Sequence, residues 1–317
     1  MHYVGRVNWS FLDTPLPTGP TSSGVARHVI VGPAHGATHT ELAVGGFAPG
    51  GWLARHVHSF EEALYLLEGE LILEIDQDVH RLVPGDYANM PVGAHHTLVA
   101  GSPGVRWLSV NTPPRRPPGA EVPDTIYAAQ PPDREGLIAR ARPLAGRDLT
   151  RHVGHYDGTP AQLEALRVDD PARGRAVAGM DTALLAYSGI SVKMLVDRNL
   201  GADLLTMFTV DYEVGGAAQV HDHPFEEAYF FLAGEVEAEL DGQPYRLRAG
   251  DVAFAGVGSS HGFWNAGPDR VRWIETQAPQ PPARHAYRWQ TTWERIAERG
   301  IEPWPTPSPG TAAGADR

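Results

Sequence analysis

An all-β fold of two tandem antiparallel sandwiches or barrels is predicted by three observations. They are a gapless internal repeat, short β-rich runs within each copy, and abundant Gly (35) and Pro (28) between those runs. Placing Arg55 to His96 over Val220 to His261 aligns two long segments residue for residue. His56, His58, Phe60, Glu61, Glu62, Ala63, Leu67, Gly69 and Glu70 recur as His221, His223, Phe225, Glu226, Glu227, Ala228, Leu232, Gly234 and Glu235. Further on, Asp76, Arg81, Leu82, Gly85, Asp86, Val92, Gly93 and His96 recur as Asp241, Arg246, Leu247, Gly250, Asp251, Val257, Gly258 and His261. Val105–Trp107 returns as Val271–Trp273, one residue out of step. So many identities in one register mark a duplication.

The elements follow from local pattern. Leu71 to Ile75 is a short β-rich run, and Glu235 to Leu240 alternates polar and apolar as a half-buried strand does. Asp241-Gly242 carries the chemistry of a tight hairpin turn, with Asp76-Gln77 at the same place in the first copy. Thr112 to Pro132 is rich in proline and reads as a linker. Short helices are expected at Pro160 to Leu166 and Thr291 to Arg299, with a disordered tail from Pro303. The partition is an N-terminal barrel over 1–112, a linker and inter-barrel segment over 113–182, a C-terminal barrel over 183–290, and a short helix with tail over 291–317.

Composition narrows the functions. The 317-residue chain has length and apolar content (42%) for two cores, and its net charge of -12 argues against a nucleic-acid surface. With no cysteine, neither a disulfide nor a thiolate metal site can form, so any metal must be held by His and carboxylates. The start shows no signal-peptide pattern, and no apolar run approaches the ~20 residues of a membrane span. A soluble, cytoplasmic protein is the expectation.

Within each copy, His-x-His places two imidazoles on one face of a strand. Glu62 and Glu227 share that parity, whereas Glu61 and Glu226 do not. Pro224 hints at a turn between the histidines and the glutamate, so spacing to Gly69 and Gly234 matters more in choosing the second glutamate of each pair. The whole constellation, from His56-Val57-His58-Ser59-Phe60-Glu61-Glu62 with Gly69 to Gly85 and Pro91-Val92-Gly93-Ala94-His95-His96, resembles the two signature motifs of the cupin superfamily. The likeness spans roughly residues 40–112 and 204–278. It implies two jelly-roll-type barrels, a bicupin. It also implies metal ligands His56, His58, Glu62 and His96 in the first barrel and His221, His223, Glu227 and His261 in the second. Asn265 falls at the family's closing asparagine, where the first copy has Ala100, and Gly256 replaces the motif proline. Three imidazoles and a carboxylate suit a divalent transition metal, Fe or Mn foremost, with Zn, Ni or Cu also compatible.

Parity also distinguishes the barrels. From Glu227 the inward face continues with Tyr229 and Phe231, and from His261 with Phe263 and Asn265. Leu64, Leu66 and Leu98 occupy the corresponding places in the first copy. Gln219, Trp273 and Gln277 complete an expected C-terminal substrate pocket, with Glu275 and Tyr229 as candidate catalytic groups. His95 should face outward, and His152 and His155 should serve packing. The resemblance leaves the reaction open, since known bicupins include oxalate decarboxylases, quercetin and gentisate dioxygenases and ureidoglycine aminohydrolases. The aromatic second pocket favours a dioxygenase acting on a small organic substrate. A non-redox hydrolase, isomerase or decarboxylase is the first alternative, and a non-catalytic binding or storage protein the second. A homodimer is expected, with no nucleic-acid or membrane partner.

Overall fold

The computed structural model describes residues 1–15, 18–117, 119–159, 189–282 and 288–289. The helices expected near 160–166 and 291–299, and the tail from 303, lie outside the described residues. In chain order the strands begin with β1 (His2–Arg6), β2 (Ser22–Val31), β3 (Glu41–His58), β4 (Glu61–Ile75), β5 (Asp78–Leu82) and β6 (Asp86–Met90). They continue with β7 (His96–Thr112), β8 (Thr125–Tyr127), β9 (Arg142–Pro143) and β10 (Val153–His155), with an α-helix, α1 (Arg134–Arg140), before β9. The second half runs β11 (Ile190–Val196), β12 (Thr206–Tyr212), β13 (Ala217–Asp222), β14 (Glu226–Ala233) and β15 (Glu235–Leu240). It ends with β16 (Gln243–Arg248), β17 (Asp251–Ala255), β18 (His261–Trp264), β19 (Val271–Ala278) and β20 (Arg288–Trp289). No described helix is long and apolar enough to cross a membrane.

Two compact units result. One holds Asn8–Thr159 with Leu195–Met207; the other holds Met1–Val7 and the described parts of 160–194 and 208–317. The first is a nine-stranded sheet along the path β10-β6-β4-β7-β3-β2, with β5, β8 and β9 beside it. The second combines β1-β17-β14-β19-β12-β11 with β16-β15-β18-β13-β20. Its N-terminal strand is unforeseen by the sequence reading: β1 runs antiparallel to β17, pairing His2 with Ala255 and Arg6 with Asp251. The proline-rich stretch after β7 likewise yields a strand, β8, laid along the end of β3 with Tyr127 opposite His56.

Each barrel buries one face of its strands. Leu64, Leu66, Leu71, Leu73 and Trp107 fill the first core, and Tyr229, Phe231, Phe263 and Trp273 fill the second. Asp76 and Asp241 adopt left-handed φ values of 54° and 49°, closing two-residue loops between Ile75 and Asp78 and between Leu240 and Gln243. Gly69 and Gly234, at φ 82° and 74°, are demanded twice over. A Cβ at either would overlap a carbonyl oxygen, that of Gly104 or Arg270.

The paired glutamates part company at the start of β4. Glu61 turns away from the barrel interior, and its buried carboxylate accepts the N–H groups of Asp203 (2.8 Å), Leu204 (3.4 Å) and Leu205 (3.3 Å). It thus pins the Leu195–Met207 segment to its unit. Removing that acceptor strands three donors, so Glu61→Ala should destabilise the protein by about 2–3 kcal/mol, read as a lowered melting temperature. Glu61→Gln, which keeps one acceptor oxygen, should fall between. A melt unchanged in both variants would exclude this anchoring role.

Candidate metal centres

Two histidines of each centre arrive at a strand end, His56 and His58 as the last residues of β3, and His221 in β13 with His223 one residue past its end. Strand alternation does not carry through to the glutamate. A turn separates β3 from β4 and another separates β13 from β14, so Glu62 and Glu227 enter from the next strand. Pro224 had signalled that turn, and the spacing to the motif glycine selects the inward glutamate where parity alone would have rested on a strand that ends. The third histidine, His96 or His261, opens β7 or β18. Its position is held by the hairpin aspartate: Asp76 N donates to His95 O at 2.7 Å, and Asp241 N to Ser260 O at the same distance. Asp241 Oδ1 also accepts from Ser259 Oγ (2.9 Å) and Ser260 N (3.0 Å).

All six imidazoles are buried and share one hydrogen-bonding device. Each Nδ1 bonds a backbone carbonyl two residues away: Ala54 (2.8 Å), Phe60 (2.5 Å) and Ala94 (3.0 Å) in the first centre. In the second the acceptors are Gln219 (2.6 Å), Phe225 (2.7 Å) and Ser259 (3.0 Å). A carbonyl can only accept, so Nδ1 carries the proton and Nε2 is left as a lone-pair donor. His58 and His223 are further fixed by stacking on Phe60 and Phe225, both at 3.9 Å. Within each triad the donor atoms lie within 4.8 Å of one another. His58 Nε2 and His96 Nε2 are buried without a hydrogen-bond partner among the described residues. Glu62 Oε2 stands 3.5 Å from His58 Nε2, while Glu227 Oε2 stands 3.0 Å from His223 Nε2 and 3.1 Å from His261 Nε2. Lone pairs converging in a buried space beside one carboxylate fit a divalent transition metal, and this is the orientation that carbonyl-anchored ligating histidines require.

Electrostatics agree. Burial pushes His56 down to about 4 and His221 to about 3, and holds His96 well below the usual imidazole range, so these rings are neutral donors at pH 7. Burial disfavours the charge on Glu62, but the neighbouring His58, then His96 and Arg115, outweigh it and lower the carboxyl to about 2. Glu227 is likewise held low against its burial by His223 and His261.

The C-terminal centre gathers most of the residues expected there. Tyr229 O–H donates to Glu227 Oε2 in a short hydrogen bond, and Gln277 Nε2 donates to Glu227 Oε1 at 2.6 Å. Glu275, opposite Tyr229 on β19, accepts from Trp273 Nε1 at 2.9 Å. Its carboxyl is raised well above the usual range by burial and then by the charge of Glu227. Phe263 lies 5.0 Å from Tyr229, 5.5 Å from Trp273 and 6.2 Å from His261, and Phe231 stacks obliquely on Trp273 at 5.4 Å. Two expected pocket residues sit differently. Asn265 directs its amide to the carbonyls of Tyr212, Glu213 and Asp269 and accepts from Gly267 N, which organises loops. Gln219 is half-buried, and its carbonyl orients His221. His95 is exposed; His152 bonds Leu200 O at 2.7 Å and His155 bonds Asp86 at 2.7 Å.

The N-terminal centre contains groups the sequence reading passed over. Arg27 pairs with Glu41 at 2.5 Å, Asn111 Nδ2 donates to Glu41 at 3.0 Å, and Tyr127 stacks on His56 at 5.0 Å. Arg115 lies over the Phe60 ring at 5.6 Å. Alternation in Thr125-Ile126-Tyr127 was the available signal for β8; proline content hid it. Glu62 is also the more open ligand, its side chain 17% exposed against 3% for Glu227.

Comparison with known proteins gives a concordant picture. The family model described as a cupin domain matches residues 43–111 and again 208–276. No curated protein matches the chain. Among solved structures, oxalate decarboxylase from Lactobacillus farciminis is similar at 15% identity and TM-score 0.57, over 91% of this chain and 90% of that one. A variant of salicylate 1,2-dioxygenase from Pseudoaminobacter salicylatoxidans is similar at 13% identity and TM-score 0.61, over 88% and 84%. At such identities the likeness is one of fold.

Without metal, neutral buried imidazoles set the acid response. His56 and His221 bind a proton near pH 6.5 when unfolded but only near 4 or 3 when folded, so the unfolded state holds more protons between those values. Stability of the chelator-treated protein should therefore fall as pH drops from 7 to 5, and His56→Gln should flatten the slope. A melting temperature independent of pH over that range would contradict the buried neutral state.

Proposed function

Because the chain carries two cupin domains in tandem, we propose that it is a metal-dependent enzyme acting on a small organic substrate, with the C-terminal barrel as reaction centre and dioxygen as co-substrate. The carrying observation is the cluster of Glu227, Tyr229, Glu275 and Gln277 beside three buried imidazoles, each tied at Nδ1 to a backbone carbonyl. His221, His223, His261 and Glu227 would hold the ion. Bound there, iron would supply redox chemistry and open positions for a chelating substrate. Support for the dioxygenase reading comes from the aromatic walls, Phe231, Phe263 and Trp273, and from a fold shared with salicylate 1,2-dioxygenase.

The chain's own groups have separable tasks. Tyr229 and Gln277 each occupy one oxygen of Glu227 and fix the carboxylate plane. Trp273 orients Glu275, which burial and the nearby Glu227 charge keep protonated, leaving a general acid that can give its proton to a bound substrate. That retained proton also favours a second reading. A non-redox decarboxylase, hydrolase or isomerase needs an acid to protonate a carbanion or a leaving group, and the fold is shared with oxalate decarboxylase as well.

Metal content separates the readings. Untagged protein purified without chelators and analysed by elemental mass spectrometry should contain iron, and His221→Ala should remove the ion of the C-terminal centre. A screen of small aromatic and organic acids should then reveal dioxygen uptake. Manganese or zinc, with turnover unchanged under anaerobic conditions, would move the assignment to the non-redox class. In either class Glu275→Gln should lower kcat about 10²-fold or more at unchanged metal content. Tyr229→Phe should lower it less, because Gln277 still holds Glu227. Turnover unaltered in both would remove these residues from the chemistry.

A further inference from the structure

The N-terminal centre differs from its copy in charge, and we infer that it binds a small hydroxy-carboxylate, with Arg115 receiving the carboxylate. The inference goes beyond the proposed reaction, since it concerns the other barrel. Arg115 follows β7, and its guanidinium carbon lies 5.6 Å over Phe60, which stacks at 3.9 Å on His58. Its charge also acts on the Tyr127 hydroxyl, whose ring stacks at 5.0 Å on His56. Two aromatic rings, each resting on a ligating imidazole, thus hold a cation at the centre, and its charge acts on both His56 and Glu62.

That cation has no carboxylate partner among the described residues. Arg27 is different, because Glu41 matches its charge at 2.5 Å. With a divalent ion on His56, His58, His96 and Glu62, the centre would carry excess positive charge, which an anion completes. The planar N–H fork of a guanidinium matches a carboxylate in charge and in spacing. Among the described residues, no cation is recorded over Phe225, the matching ring of the second copy. Counted from the proline that follows the last strand of each barrel, Pro113 and Pro279, the counterpart of Arg115 is Pro281, and Val192 replaces Arg27 in the β2-like strand.

A second observation calls for a hydroxyl. Asn111 lies opposite Glu62 across β4 and β7, fully buried, and its Oδ1 has no hydrogen-bond partner among the described residues. The Nδ2 of the same amide donates to Glu41, and a carboxylate can only accept, so the unpaired end is the oxygen. An orphaned buried acceptor beside a ligating glutamate is costly until a donor reaches it. A hydroxyl next to the carboxylate of a bound molecule would be that donor.

Glycolate is the probe, with acetate and ethylene glycol as controls, titrated by calorimetry into the full-length manganese-loaded protein. Glycolate should bind more tightly than acetate, ethylene glycol should give no heat, and glycolate should perturb the manganese EPR spectrum. Arg115→Gln should weaken glycolate about tenfold or more, Arg115→Lys should retain part of the affinity, and Asn111→Leu should erase the preference over acetate. Manganese content and melting temperature, recorded for each variant, identify any loss through misfolding. His221→Ala should leave glycolate binding intact and His56→Ala should abolish it. Undiminished binding in Arg115→Gln, binding that follows His221, or no binding to the wild-type protein would overturn the inference. The proposed C-terminal reaction stands or falls on turnover and metal content, so the two can fail separately.

Discussion

An imidazole has two nitrogens, and a centre built from three of them works only if each ring presents the correct one. Here the backbone makes that choice. Every histidine of the two triads donates Nδ1–H to a carbonyl two residues away, so the local fold of the chain, not a distant partner, settles tautomer and direction. The constraint propagates outward. His58 and His223 need the turn that lets Phe60 and Phe225 stack on them, and His96 and His261 need the hairpin whose aspartate holds the preceding segment. Those hairpins in turn require a left-handed residue, which aspartate tolerates better than most.

On this common frame the two copies have diverged by replacing the groups around the ligands. Tyr229, Glu275 and Gln277 in the second barrel stand where the first has Leu64, Ser109 and Asn111, judged by strand register. In the second centre both oxygens of Glu227 are engaged, and the Glu275 carboxyl beside it is raised well above the usual range by burial and the Glu227 charge. The first is a cationic environment with an open ligand and an amide oxygen unused. Duplication has thus produced two electrostatic settings from one coordination scheme, and the chemistry available to each differs even if the metal is the same.

Much of this could be read from residue order. The repeat, the hairpin aspartates, the motif glycines and the two histidine triads all depend on short-range rules, because alternation, turn chemistry and fixed spacings are local. Tyr229 was visible for the same reason, two residues from Glu227 on one strand, and Glu275 and Gln277 as alternate residues after Trp273. Arg115 and Tyr127 were not, since they come from a proline-rich stretch whose return to the edge of β3 is a tertiary event. Asn265 shows the converse: parity pointed it inward, but three backbone carbonyls offered its amide a better set of partners. The order Ser59 to Glu62 was decoded correctly only by spacing, because the strand that parity assumed stops before the glutamate.

The pairing of β1 with β17 has a consequence for how the protein can be made and divided. β1 leaves the ribosome before either barrel, yet its partner strand comes only after residue 250, so its hydrogen bonds must wait until the second barrel has emerged. Meanwhile the Leu195–Met207 segment belongs to the first unit although it follows the linker. Each unit is therefore discontinuous in the chain, and no single cut yields two complete barrels. A separate second barrel would need His2–Arg6 grafted after its own C-terminus or before its own first strand, a circular rearrangement of the natural order.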